Sequence, residues 1–104
     1  MGRDLALEVA EAAMAEFGTD GTYTPAGEAA VAVRFRLVED GEDAIAFSEH
    51  GPLGRKPVIR VLASDLTPAS GGEFAADGQS WHVVGRPRLA DRYRLVWSCK
   101  VDVG

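Results

Sequence analysis

The dipeptide Asp77-Gly78 constrains this chain more than any other feature. A two-residue turn whose twist matches its flanking strands needs positive φ at both central positions, and Asp-Gly tolerates that. A turn centred there pairs Ala76 with Gln79 and Ala75 with Ser80, and sets Phe74 opposite Trp81. An aromatic cross-strand pair of this kind contributes about 0.2–1 kcal/mol over Ala–Ala. Upstream, Pro57 to Leu66 reads as a strand with Ile59, Val61 and Ala63 on one face and Arg60 on the other. Residues 57–85 therefore form a strand, a tight connection through Gly71-Gly72 and a two-stranded ribbon, with no chemically reactive group.

Elsewhere the pattern predicts one helix, over 4–17, where Leu5, Val9, Ala13 and Phe17 recur at spacing four in a stripe thickened by Ala6 and Ala10, and Gly18 stops it. Glu8 and Glu11 favour its positive N-terminal half. Leu7 and Met14 fall on the opposite side, so either they are exposed or the helix touches something on two faces. Thr19-Asp20-Gly21 reads as a turn and Thr22-Tyr23-Thr24 as a short strand ended by Pro25. Val31, Val33, Phe35 and Leu37 alternate with Ala32, Arg34 and Arg36, the mark of a half-buried strand. Glu39-Asp40-Gly41-Glu42-Asp43 is a solvated acidic turn without the ligand frame a calcium loop needs. The last strand places Tyr93, Leu95, Trp97, Cys99, Val101 and Val103 on one face, with Val96 the exception on the other.

Between the acidic turn and Pro57 lies the breaker-rich stretch 48–56, with Leu53 its one large aliphatic residue. So long a connection in a small protein is either a flexible loop that orders on a partner, with Leu53 as anchor, or an idle surface loop. The whole of 1–104 reads as a single, mainly β domain: a small antiparallel β-barrel or sandwich of about six strands over 22–103, with one N-terminal α-helix capping an end or edge.

Charge is polarised along the chain. Residues 1–54 carry three bases against eleven acids and residues 55–104 eight bases against five acids, within a net charge of −5. That balance argues against general nucleic-acid binding and suits head-to-tail contacts with copies or with other proteins. Solvated charge scattered over a small domain is the plainer account. No apolar run approaches a membrane span, and Met1-Gly2-Arg3-Asp4 leads into an acidic segment unlike a signal peptide. The single Cys99 cannot form an internal disulfide, so synthesis in the cytoplasm is expected.

Catalytic and metal patterns are missing. His50, His82 and Cys99 lack the paired spacing of a zinc site, and Cys99 reads as a small buried hydrophobe. Ser48 with His50, or Cys99 with His82, has no third orienting group. No P-loop, nucleotide fingerprint or nucleophile elbow occurs. The expectation is a protein that is not an enzyme and needs no metal or cofactor.

The order of these features resembles a known family over nearly the whole chain. An alanine-rich helix ends in Phe17-Gly18, and Tyr23-Thr24-Pro25, a valine-rich strand and a breaker-rich loop follow. Then come Pro57-Val58-Ile59-Arg60-Val61, Ala63-Ser64-Asp65-Leu66, Phe74-x-x-Asp77-Gly78-x-x-Trp81-x-Val83-Val84 and a final alternating strand. This is similar to the small head–tail joining (tail attachment, head completion) proteins of long-tailed bacteriophages and prophages. Arg88-Leu89-Ala90-Asp91-Arg92 stands where family members have an aspartate–glycine or similar turn. The resemblance implies a β-barrel-like fold and a structural part in virion assembly. Copies would form a ring joining the DNA-filled head, at its portal or connector side, to the tail. The implied location is the virion, and the host cytoplasm during assembly. Partners would be other copies, the head connector and tail proteins, with no membrane and no nucleic acid beyond incidental contact with packaged DNA. The expected interface residues are Glu49, His50, Leu53, Arg55 and Lys56 of the loop and Arg86, Arg88 and Arg92 of the basic connection. The alternative is a small β-barrel module that binds nucleic acid or oligosaccharide. It needs aromatics exposed on a basic face, whereas Trp81, Trp97, Phe35 and Tyr93 all fall on inward faces by the alternation. A small enzyme subunit or regulatory domain ranks last.

Overall fold

The computed structural model describes residues 2–40 and 56–103. Helix α1 spans Gly2–Phe17, and seven strands follow: β1 Thr19–Thr24, β2 Val31–Asp40, β3 Lys56–Leu62, β4 Glu73–Ala76, β5 Gln79–Val83, β6 Arg88–Leu89 and β7 Val96–Val103. They run in the order β3-β2-β1-β4-β5-β7, and β3 also pairs with β7, which closes a six-stranded antiparallel barrel. The short β6 is a seventh strand laid on β7 beside the end of β5. Closure matters for so small a molecule, because an open sheet leaves unpaired edges and spills its core at both sides.

The ribbon forms as its turn requires. Asp77 and Gly78 have φ of 54° and 81°, and Phe74 faces Trp81 in the expected register. Phe74 then joins Tyr23 (ring centroids 4.7 Å apart) and Phe35 (5.0 Å), and Phe35 meets Trp81 edge-on at 6.0 Å. Ile59, Val61, Cys99 and Val101 complete this interior from the closing pair β3–β7. Gly72 lets the connection run flush over the Tyr23 ring, since a Cβ there would collide with the phenol. The Tyr23 hydroxyl accepts from Ala69 N at 2.9 Å, so its polar end is not orphaned.

Several boundaries differ from the pattern reading. Thr19-Asp20-Gly21 is strand, not turn, because β1 begins directly after the helix and Gly21 pairs with Val33. A side chain at Gly21 would strike the Ala75 carbonyl and the Phe35 ring, so this glycine serves close packing. Strand β2 continues through Glu39 and Asp40, opposite Pro57 and Lys56. At its other end β3 stops at Leu62, so Ala63 lies outside it. The last strand begins at Val96, not Tyr93. Before it, the Asp91 carboxylate accepts from Tyr93 N, Leu95 N and Val96 N at 3.1, 2.7 and 2.9 Å, and Arg94 turns to φ 60°. Val103 lies at the open rim and is 70% exposed despite its place in the alternation.

The helix is rolled relative to its stripe: the Ala6, Ala10 and Ala13 side of that stripe turns inward with Leu7 and Met14, and its large residues Leu5, Val9 and Phe17 are left out. Met14 is buried, with Ala6, Leu7, Ala10 and Ala13 half-buried, while Leu5, Val9 and Phe17 are 53%, 61% and 58% exposed. The cleft beneath α1 is lined by Ala10, Ala13, Met14, Arg36, Arg60 and Val96. Val96 and its register partner Leu62 point away from the barrel interior, and the helix covers that end of the sheet, which explains the exception in the last strand.

Candidate interaction surface

Gly85, at φ 74°, turns the chain out of β5 and aims Arg86 and Arg88 at β7. Arg88 pairs in register with Ser98, and Val84 N donates to Lys100 O at 2.9 Å. The result is an open concavity of about 390 Å³ on the barrel wall, lined by Arg86, Arg88, Lys100 and Ser98 over Val58 and Val84. Three cations thus converge on a partly apolar floor. Among the described residues the one ion pair is Arg34–Asp20, so none of these three is neutralised by a described acid.

Of the residues expected at an interface, Arg86 and Arg88 are brought together. Arg92 is not with them: it lies beyond the Asp91 bend, its guanidinium 5.2 Å from the Tyr93 ring centroid. Glu49, His50, Leu53 and Arg55 lie outside the described residues, as do Ser48 and positions 41–43 of the acidic turn. Lys56 opens β3 opposite Asp40. Lys100 belongs to the basic surface and was missed, because along the sequence it is one more outward residue of an alternating strand. Only the β6–β7 pairing carries it to Arg88.

Catalytic alternatives find no geometry. Cys99 points into the core and its thiol is pushed up to about 12 by burial, whereas His82 is exposed on the outer face of β5. The two lie on opposite sides of the barrel wall. No group of three or more potential metal ligands occurs among the described residues. Trp81 and Phe35 are buried and supply no stacking platform. Trp97 is half-buried and borders a second concavity of about 310 Å³, on the other side of Arg86. Tyr93 lies in the bend and not on the inward face of a strand.

A family model described as Phage Head-Tail Attachment protein matches residues 2–101. This chain belongs to that family. The chain matches no curated protein and no solved structure. A head–tail attachment protein is a structural component of the phage particle, and this is not an enzyme family. The attachment protein has no helix, among its described residues, long and apolar enough to cross a membrane.

Proposed function

We propose that the protein joins the DNA-filled head, on its portal or connector side, to the tail as a ring of copies. Assembly would take place in the host cytoplasm and the ring would persist in the virion. The observation that carries this reading beyond family membership is the convergence of Arg86, Arg88 and Lys100 on one open wall of a barrel whose aromatics are largely spent on its core. Cations clustered on one wall, with no described acid paired to them, steer encounter with acidic protein surfaces and fix the register of docking. The loop 48–56, with Leu53 as its anchor, and Arg92 are further contact points in this reading, toward neighbouring copies or the head and tail proteins.

The test is joining of filled heads to tails in a reconstituted mixture. Arg86→Glu with Arg88→Glu is expected to leave the circular dichroism spectrum and melting unchanged and to reduce joining at least about tenfold, since like-charge juxtaposition costs several kcal/mol. Leu53→Asp is expected to reduce joining in the same way. Normal joining by the arginine variant removes the concavity from the interface.

A further inference from the structure

The cations extend beyond the concavity. Strand register places Arg36 opposite Arg60, Arg60 opposite Ser98, and Ser98 opposite Arg88. One transverse row on the outer face of β2-β3-β7-β6 thus carries three arginines around a serine. Like charges directly opposite in a sheet are destabilising, so the Arg36–Arg60 pair costs the barrel some stability. At roughly 4.8 Å per strand the row spans roughly 14 Å. The next row is Val38–Val58–Lys100, in which Val58 is buried and Val38 half-buried, so Val38 borders the cations on their apolar side. At the near end the Arg36 guanidinium lies 5.2 Å over the exposed Phe17 ring.

Helix α1 carries the complement. Asp4, Glu8 and Glu11 are exposed and share one face, which rises roughly 10.5 Å from first to last. Leu5 and Val9, also exposed, run alongside them. The acidic stripe beside Leu5 and Val9 answers the cationic row beside Val38 in sign and order, and its roughly 10.5 Å falls within the row's roughly 14 Å. We propose that the arginine row seats the α1 helix of a second copy of this chain. The contact joins two different patches, so it propagates from copy to copy and closes when the rotation allows. It rests on the ring proposed above and names the surfaces that would form it. A phosphate backbone would satisfy the arginines but leave Val38, Leu5 and Val9 without a partner.

The experiment is a charge swap. Glu8→Arg/Glu11→Arg, Arg36→Glu/Arg60→Glu and the fourfold combination are compared with the wild type by sedimentation velocity and in head–tail joining, with folding checked by circular dichroism. Each double variant should self-associate at least about tenfold more weakly, and the fourfold variant, with both signs exchanged, should recover. The proposal is overturned if either double variant associates like the wild type, or if the fourfold variant stays as weak as the doubles. A wild type that is monomeric at about 1 mM also overturns it. So does an Arg36→Glu/Arg60→Glu variant that keeps self-association and loses binding to a short DNA duplex, which would assign the row to phosphate. Failure of the wild type itself to join heads to tails would instead sink the attachment reading and leave the self-association result standing.

Discussion

Arg34 belongs to β2, yet its guanidinium is spent on the end of α1. Nε donates to Met14 O at 2.8 Å, Nη2 to Ala15 O at 2.9 Å and Nη1 to the Asp20 carboxylate at 2.8 Å. The helix has no basic residue in its last turn, so this strand residue supplies the positive charge that the C-terminal carbonyls favour. Arg34→Ala is expected to cost about 1–2 kcal/mol by chemical denaturation and to raise hydrogen exchange in the last turn of α1 first. A loss spread evenly over the barrel would show that Arg34 does not act as a cap. Asp91 plays the corresponding part before β7. Burial by itself raises its carboxyl pKa, but backbone donors at Leu95, Val96 and Tyr93 outweigh that and hold it below the usual carboxylate value. A depressed pKa stabilises the fold above the unfolded carboxylate pKa of about 3.9, and the gain disappears as pH falls through the lower folded value. Asp91→Ala should therefore cost about 1 kcal/mol at pH 7, a modest figure for a group still in contact with water, and less than that below about pH 4. An equal deficit at pH 7 and pH 3 would show that ionisation of Asp91 plays no part.

At the scale of elements, legibility followed locality. The ribbon could be placed to the residue because its turn, register and aromatic pair all lie within Phe74–Trp81 and need no knowledge of the rest of the chain. The orientation of α1 could not be read. Leu5, Val9 and Phe17 flank the Ala6-Ala10-Ala13 strip on one side and Leu7 and Met14 on the other, and which flank is buried with it depends on the Leu62–Val96 patch that awaits it. The spacing rule identifies a helix and does not say where its neighbour stands. The surface was half legible for the same reason. Arg86 and Arg88 are neighbours in sequence, whereas Arg36, Arg60 and Lys100 join them only through register across strands. The helix orientation has a direct check. Met14→Ala should cost about 2 kcal/mol, near the low end for a buried methionine because α1 packs at the periphery. Val9→Ala should stay within about 0.5 kcal/mol. Equal costs at the two positions would mean that α1 presents a different face.

For the whole molecule, the decisive contact is the seam between β3 and β7, which turns a meandering sheet into a barrel. Cys99 sits on that seam opposite Ile59, and both are fully buried. Because burial pushes the thiol up to about 12, the reactive thiolate is scarce at pH 8, and no reagent can reach it without parting the strands. The cysteine is thus a built-in reporter of closure. If the barrel opens only as a unit, thiol labelling at pH 8 will be orders of magnitude slower than for a denatured chain and will rise with denaturant over the same range as the loss of circular dichroism. Arg34→Ala, by lowering global stability about 1–2 kcal/mol, will then raise that labelling rate by the matching factor of about 5–30. Rapid labelling of the native protein, or a labelling transition well before the spectroscopic one, would mean that β7 leaves β3 while the rest of the sheet stays intact. In that case the arginine row, which crosses the same seam from Arg60 to Ser98 and on to Arg88, would be a shifting surface and not a fixed seat.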